Sequence, residues 1–186
     1  MVEGLTRVFV AVPLDEETRH RLAHLVRTRV TVMPGRPVPP DNWHLTLRFL
    51  GEVDEVGLDR LRAAFDEADL GAAFGLRWGT LGAFPRASRA AVLWIGIDGE
   101  VTALHALSER VDAALEVAGH PPEDRPFSPH LTISRMRPEE DVRAVIGDGA
   151  PLGMSMRVDR VAMYESRLGR GGAKYAVLEE YPLRNS

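Results

Sequence analysis

Hydrophobic and polar residues recur along the chain with two periods, and each change of period predicts a change of secondary structure. Runs of β-branched and apolar residues bounded by proline or glycine predict strands. Apolar residues spaced three and four positions apart among charged residues predict amphipathic helices. In the first half of the chain these patterns predict a strand, a helix, a proline-rich loop, a strand, a helix and a strand, with the regular elements at 5–12, 14–31, 43–50, 55–68 and 74–84.

The same order of elements returns in the second half of the chain. The predicted strands and helices, again with a proline-rich loop after the first helix, lie at 90–97, 100–118, 129–135, 138–146 and 154–165. A glycine-rich turn at Gly169–Gly172 precedes one more predicted strand, at 173–183. A repeated order of elements indicates duplication. We therefore expect one bilobal domain over 1–186, with two related units at roughly 5–84 and 90–165 and a final strand.

The composition limits the chemistry and the partners. The chain has 186 residues and no cysteine, which excludes disulfides, iron–sulfur clusters and thiol catalysis. No apolar run approaches the roughly 20 residues of a membrane span, and Met1–Gly4 lacks the features of a signal peptide. We expect a cytoplasmic protein without membrane association. The net charge of −4 argues against wrapping of duplex nucleic acid and leaves room for a local basic cleft.

Each half contains the same tetrapeptide pattern in an equivalent predicted strand. His44-Leu-Thr46-Leu stands in the first half and His130-Leu-Thr132-Ile in the second. Because side chains alternate between the two faces of a strand, the histidine and threonine of each motif share one face and the apolar residues share the other. The apolar face is expected to pack on the core, which leaves the histidines and threonines for solvent or a cleft.

Paired imidazoles and hydroxyls indicate a specific kind of catalysis. Two histidines can act as one general base and one general acid near neutral pH, and two threonine hydroxyls can donate to the oxygens of a phosphate held between them. This arrangement suits in-line displacement at a cyclic phosphodiester without a metal. The structural alternative is that each histidine is satisfied by the backbone. A zinc site is disfavoured because the motifs supply no third ligand.

Four further residues are candidates for function, and each also has a simpler structural interpretation. Arg48 has the parity of His44 and would add positive charge to the cleft, or else face solvent. Phe9 shares a strand face with Arg7 and Ala11, and would stack on a terminal base or pack in the core. His20 and His24 have a metal-like helical spacing, but a solvated helix face is favoured.

Longer strings around these motifs resemble the two-histidine (2H) phosphoesterase superfamily. Within it, the sequence is similar to the branch of bacterial and archaeal RNA 2′,3′-cyclic phosphodiesterases, the LigT-like proteins. The resemblance spans nearly the whole chain and implies an α+β fold with two antiparallel sheets, outer helices, a pseudo-two-fold duplication and a central cleft. The strings that carry it are Arg7-Val-Phe-Val-Ala-Val-Pro, His44-Leu-Thr-Leu-Arg-Phe-Leu-Gly-Glu, Phe127-Ser-Pro-His-Leu-Thr-Ile-Ser-Arg and Tyr164-Glu-Ser-Arg-Leu.

The resemblance also implies residue roles in a metal-independent hydrolysis of a terminal 2′,3′-cyclic phosphate to a 2′-phosphomonoester. By position, His44 matches the proton donor to the leaving O3′ and His130 matches the group that activates water. Thr46 and Thr132 match the residues that hold the phosphate oxygens. Arg135 matches an arginine that contacts phosphate or ribose, although its strand parity is opposite to that of His130, so it reaches the cleft only if the strand ends or bulges.

Three other functions stay open at this point. The first is hydrolysis of a small cyclic nucleotide or an ADP-ribose cyclic phosphate by the same residues. The second is joining of RNA ends by the reverse reaction, which we expect only as a side activity. The third is a catalytically silent module that binds RNA ends. We expect no cofactor, a monomer, and RNA 3′ ends bearing 2′,3′-cyclic phosphate, tRNA fragments among them, as partners.

Overall fold

The strands of the protein form two antiparallel sheets in a computed structural model that describes residues 4–169 and 172–185. The first sheet has the order β3-β1-β8-β9 and the second the order β2-β6-β5-β4-β7. The strands are β1 (Thr6–Pro13), β2 (Arg36–Pro37), β3 (His44–Val53), β4 (Phe74–Arg86), β5 (Arg89–Ile97), β6 (His130–Glu140), β7 (Ser155–Val158), β8 (Arg160–Gly169) and β9 (Gly172–Pro182), and the helices are α1 (Glu16–Arg29), α2 (Glu55–Asp66), α3 (Val101–Val117) and α4 (Arg143–Ile146).

The α+β architecture with two antiparallel sheets is confirmed, and the predicted elements differ from the observed ones mainly at their ends. The predicted strand at 154–165 is wrong as one element, because β7 and β8 belong to different sheets. The predicted helix at 138–146 begins later, because residues 138–140 continue β6. The proline-rich loop also contains β2 and a 3-10 turn, Pro40–Asn42, that the sequence analysis did not predict.

The glycine-rich turn connects β8 and β9, whose ends pair at Gly169 and Gly172. Residues 170 and 171 of that turn lie outside the described residues, as do Met1–Glu3 at the N-terminus and Ser186. Within the described part of the chain, no helix is long and apolar enough to cross a membrane.

Each sheet contains strands from both halves of the sequence. The third long strand of the first half, β4, pairs with β5 of the second half, and β8 of the second half pairs with β1 of the first. If 5–84 and 90–165 are two copies of one unit, as predicted, each gives its last strand to the sheet of the other. The orders β3-β1-β8 and β6-β5-β4 then correspond position by position, and they place β3 and β6 at equivalent positions in their sheets.

Helices pack against both sheets. Aspartates cap α1 and α2: the Asp15 and Asp54 carboxylates accept from backbone N–H groups in the first turn, at 2.7 Å in both cases. Helix α2 contacts β9, where Phe65 packs against Tyr181 with ring centroids 4.9 Å apart. Helix α3 contacts both α2 and β3, and α4 contacts β4.

A β-bulge interrupts each motif strand one residue after the threonine. In β3, Thr46 pairs with Ala11 and Arg48 pairs with Val10, which leaves Leu47 as an extra residue. A bulge reverses the alternation of side chains beyond it. The residues four and five positions after the histidine therefore exchange sides: Arg48 turns toward the helices, and Phe49 turns toward the side of His44 and Thr46.

The same bulge is present in β6. Thr132 pairs with Trp94 and Ser134 pairs with Leu93, so Ile133 is the extra residue. Ser134 is consequently buried, and Arg135 is exposed on the side of His130. From the sequence, Arg135 was expected to reach the cleft only if the strand ended or bulged before it, and this bulge meets that condition.

The prediction that Arg48 adds charge to the cleft is wrong. Arg48 is 7% exposed on the helix side of β3. Its Nη1 donates to Asp112 of α3 at 2.6 Å, its Nε lies 3.2 Å from Glu123, and its Nη2 donates to the Pro121 carbonyl. Regular strand parity does not hold here because the bulge at Leu47 lies between His44 and Arg48. The arginine instead joins β3 to α3 and the loop after it.

We expect Arg48→Ala to lower the free energy of unfolding by about 2–4 kcal/mol, because it breaks a largely buried, charge-assisted network. Chemical denaturation measures this change. Arg21→Ala, which removes the exposed pair of Arg21 with Glu17, is the matched control and should cost at most about 0.5 kcal/mol. If the folded Arg48→Ala variant loses substrate turnover with little loss of stability, the result would indicate that Arg48 acts in the cleft after all.

Candidate active site

The two motif strands face each other across the cleft between the sheets. β3 and β6 belong to different sheets, yet they contact each other directly. Between them lies a small cavity of about 50 Å³, here called the histidine cavity. Five of its lining residues are predicted from the sequence, namely His44, Thr46, His130, Thr132 and Arg135. The other four, which are not predicted, are Val38, Asn42, Phe49 and Tyr175.

Both histidines are held in the same way by the backbone. His44 Nδ1 lies 2.8 Å from the Asn42 carbonyl oxygen, and His130 Nδ1 lies 2.7 Å from the Ser128 carbonyl oxygen. Since a carbonyl only accepts, Nδ1 carries a proton in each ring, and Nε2 is the nitrogen free to exchange protons. The structural alternative, a histidine satisfied by the backbone, therefore accounts for one nitrogen of each ring and leaves the other for chemistry.

Aromatic rings support each imidazole. Phe9 lies 4.7 Å from His44, and Tyr175 meets His44 edge-on at 5.2 Å, between ring centroids. On the other side of the cleft, Phe84 meets His130 edge-on at 5.0 Å. These contacts restrict ring rotation and partly shield the imidazoles from water.

Burial among these rings lowers the pKa of both histidines. Desolvation is the largest cause for His44, whose pKa falls to about 4, and the positive charges of Arg135 and His130 lower it further. The pKa of His130 is also lowered, by desolvation first and then by Arg135. The carbonyls of Asn42 and Ser128 act in the opposite direction. Both rings are therefore neutral at pH 7 in the free protein.

Arg135 supplies the positive charge of the histidine cavity. Its side chain lines the cavity, and within the described residues no carboxylate forms an ion pair with it. An arginine fork beside two hydroxyl donors is suited to the oxygens of a phosphate. An anion held there would raise the pKa of both neighbouring imidazoles.

The prediction that Phe9 stacks on a nucleotide base is wrong, although its assignment to the cleft side of β1 is correct. Phe9 is 1% exposed, because the rings of His44, Tyr164 and Tyr175 cover it. The aromatic ring open to a ligand is Phe49, which is 61% exposed and lines the histidine cavity. Its position, five residues after His44, corresponds to that of Arg135 after His130.

The cavity residues that were not predicted have little in the amino-acid sequence to mark them as part of a site. Phe49 has the wrong parity in a regular strand, and Tyr175 reaches the cavity only because β9 pairs with β8. Asn42 stands two residues before His44, and its side-chain amide donates to the Ala173 carbonyl at 2.8 Å. Ser128 stands two residues before His130, as Asn42 does before His44, and the backbone carbonyls of these two residues hold the imidazoles. This equal spacing is the one clue in the sequence.

Other grooves lack the chemistry of the histidine cavity. His20 and His24 border a groove on α1, and no group of three or more His, Asp or Glu side chains among the described residues is arranged to hold a metal ion. A larger groove of about 600 Å³ between α2 and α3 is lined mainly by alanines, with no histidine or hydroxyl group.

Comparison with known proteins gives one family. The model of the LigT like phosphoesterase family matches the chain twice, over residues 12–94 and 95–175. A Thermus thermophilus protein named RNA 2′,3′-cyclic phosphodiesterase is 36% identical over 187 aligned residues, which cover 96% of this chain and 90% of the relative. An Escherichia coli protein of the same name is 31% identical over 180 residues, which cover 95% of this chain and 96% of the relative.

A solved structure shares the whole fold. The crystal structure of E. coli LigT complexed with 3′-AMP superimposes with a TM-score of 0.79 at 29% identity, and the match covers 96% of this chain and 98% of that one.

We expect an NMR titration of the imidazole signals to give a pKa of about 4 for His44 and a value below 6.5 for His130. Arg135→Gln should raise both values, because it removes a positive charge that disfavours protonation. Arg27→Gln, an exposed change on α1, removes the same charge and should move neither. Imidazoles that titrate above 6.5 in the free protein would contradict this account of the cavity.

Proposed function

The chain belongs to the LigT-like phosphoesterase family, and on this basis we propose that it hydrolyses RNA terminal 2′,3′-cyclic phosphates to 2′-phosphomonoesters without a metal. The observation that carries the proposal is the histidine cavity itself. Two imidazoles with free Nε2 atoms, two hydroxyls and one arginine converge on a space of about 50 Å³. The groove on α1 also has two histidines and an arginine, His20, His24 and Arg21, but no hydroxyl group lines it.

The cyclic phosphate would bind with its non-bridging oxygens on Thr46 Oγ1, Thr132 Oγ1 and the Arg135 guanidinium. These donors stabilise the charge that develops as a fifth oxygen approaches phosphorus. Phe49 would lie against the terminal base, because it is the exposed ring at the edge of the cavity.

The reaction needs one neutral and one protonated imidazole. The neutral Nε2 takes a proton from water, whose oxygen forms the new bond to phosphorus. The protonated Nε2 gives its proton to O3′ as the P–O3′ bond breaks, which leaves the phosphate on O2′. The family resemblance assigns His130 as the base and His44 as the acid. Because the pKa of His44 is about 4 in the free protein, this assignment requires His44 to gain its proton when the phosphate binds. After one turnover the two protonation states are exchanged, and solvent restores them.

The lowered pKa values make phosphate binding part of the mechanism. Both rings are neutral at pH 7 in the free protein, whereas turnover needs one proton on the pair. The anionic substrate favours that proton, so binding and protonation support each other. Asn42 and Ser128 keep the remaining proton on Nδ1 of each ring throughout, so only Nε2 changes.

A second candidate is hydrolysis of a small cyclic nucleotide or ADP-ribose cyclic phosphate. The small histidine cavity favours it, because the cavity encloses little more than the reacting phosphate. Ligation would be the same displacement with the 5′-hydroxyl of a second RNA in place of water, so that a phosphodiester forms as the P–O3′ bond breaks. Binding of the cyclic phosphate without turnover would instead indicate a silent RNA-end binding module.

The decisive experiment is incubation of an RNA oligonucleotide that ends in 2′,3′-cyclic phosphate with the protein in EDTA. We expect turnover and a 2′-phosphate product, because the cavity supplies acid, base and oxygen donors from side chains alone. NMR of the phosphorus nucleus identifies the phosphate position. Activity that EDTA abolishes and zinc restores would refute metal independence, and a 3′-phosphate product would refute the assigned leaving group.

We expect His44→Ala and His130→Ala each to lower kcat by roughly 10²–10⁴-fold, the usual size of a general acid or base contribution. The pH profile of kcat/KM should be a bell whose limbs fall below 6.5, because it reports the lowered pKa values of the free protein. Removing the base should abolish the acidic limb, and removing the acid should abolish the basic limb.

His24→Ala is the matched control for this pair, because His24 is exposed on α1 away from the histidine cavity. It should retain the rate and the bell of the unchanged protein. Circular dichroism establishes that each variant is folded. Wild-type rates in either folded cavity variant would disprove the paired mechanism.

A further inference from the structure

A second groove continues from the histidine cavity along β2 and the start of β9. It has a volume of about 200 Å³ and is here called the arginine groove. Val38, Asn42, Arg135 and Tyr175 line both spaces, so the groove and the cavity are contiguous. The groove is completed by residues that take no part in the proposed reaction, namely Arg36, Pro37, Pro39, Gly172 and Ala173.

The segment that carries Arg36 is fixed tightly against β6. Gly35 has φ of +61°, and a Cβ there would lie 2.5 Å from the Arg135 carbonyl oxygen, so only glycine allows this approach. Ser134 Oγ donates to the Pro34 carbonyl, and Val38 N donates to the Ile133 carbonyl at 2.9 Å. The position of Arg36 is therefore set by the same bulge that turns Arg135 toward the cavity.

This anchoring places two arginines opposite each other. In the pairing of β2 with β6, Arg36 is the direct partner of Arg135, and both side chains line the arginine groove. On the other wall, the Arg36 guanidinium lies against the backbone of β9, since a Cβ at Gly172 would be 2.9 Å from Arg36 Nη2. An anion between two arginine side chains would interact favourably with both.

The order of the two spaces matches the order of phosphates in an RNA end. In the proposed function the histidine cavity holds the terminal cyclic phosphate. An oligonucleotide carries its next phosphate on the 5′ side of that same nucleotide, one ribose away, whereas a cyclic mononucleotide has no phosphate there. Tyr175 and Val38 form the continuous surface between the two spaces.

We propose that the arginine groove binds the phosphodiester preceding the terminal nucleotide, with Arg36 as the residue that makes the protein prefer RNA ends to cyclic mononucleotides. The inference rests on the proposed function and specifies its substrate class. Contacts to the phosphate backbone position a nucleic acid without reading its sequence. The preference is accordingly for a chain of at least two nucleotides, independent of their bases.

The experiment compares a five-nucleotide RNA ending in adenosine 2′,3′-cyclic phosphate with adenosine 2′,3′-cyclic monophosphate. Arg36→Gln should lower kcat/KM about tenfold for the RNA, as expected for the loss of a charge-assisted contact to phosphate. It should stay within about twofold for the mononucleotide, which does not reach the groove. The dependence of log kcat/KM on log salt should weaken for the RNA by about 0.7, the value for one contact to a single-stranded phosphate.

Arg27→Gln makes the same change of net charge at an exposed position on α1 and should alter neither substrate. An equal fall for both substrates in Arg36→Gln would overturn the proposal, because Arg36 would then act at the reacting phosphate or on the fold. No fall for either substrate would overturn it as well. A thermal unfolding curve shows whether the variant is folded.

A binding measurement decides the inference without turnover. The affinities of the 2′-phosphorylated RNA and of adenosine 2′-phosphate are measured by calorimetry with the unchanged protein and Arg36→Gln. We expect only the affinity for the RNA to fall. Unchanged RNA affinity would reject the arginine groove as a phosphate subsite. If the unchanged protein hydrolyses neither cyclic phosphate, the proposed function fails, and these affinities still test the groove.

Discussion

The bulge that follows each motif threonine is the constraint on which the cleft depends. A regular strand would place the side chain four residues after each histidine in the cleft and turn the next one away. The extra residues Leu47 and Ile133 reverse this order in β3 and β6. One consequence concerns the candidate site, since Arg135 faces the histidine cavity. The other is structural, since Arg48 is buried against α3 and Ser134 holds the segment that carries Arg36.

The electrostatics of the cavity follow from what surrounds it. Aromatic rings partly shield the imidazoles from water, and Arg135 adds a positive charge beside them, so the free protein holds both histidines neutral. The same two features favour an anion, because a positive charge in a poorly hydrated site is only weakly screened. Under the proposed function, a cavity built this way would gain a proton and a phosphate together, and the acid–base pair would depend on the charge of its substrate.

The sequence predicted the fold class, almost all of the long elements and the paired motifs, because these depend on local periodicity and on one repeated pattern. It failed where tertiary context changes a local rule. The parity of Arg48 was wrong because a bulge has no clear signature in a run such as Leu-Thr-Leu-Arg-Phe. Phe9 lies on the predicted face, but its burial depends on Tyr164 and Tyr175, which strand pairing brings from more than 150 residues away. β7 and β8 were merged because only the sheet order separates them.

The two motifs are nearly equivalent, and the direction of the reaction must come from what differs around them. Each histidine has the same hydrogen bond to a carbonyl two residues earlier and the same threonine beside it. The singly protonated pair has two forms, with the proton on His44 or on His130, and the populations of both forms depend on pH in the same way. The motif alone therefore does not distinguish the two histidines. The aromatic rings around the two histidines differ. His44 is enclosed by Phe9, Tyr164 and Tyr175, whereas His130 has fewer rings around it among the described residues. Five residues after each histidine stand Phe49 and Arg135, one suited to a base and the other to a phosphate. In the proposed function, an RNA end bound between such unlike walls would enter in one orientation, and that orientation would decide which imidazole meets O3′ and which meets water.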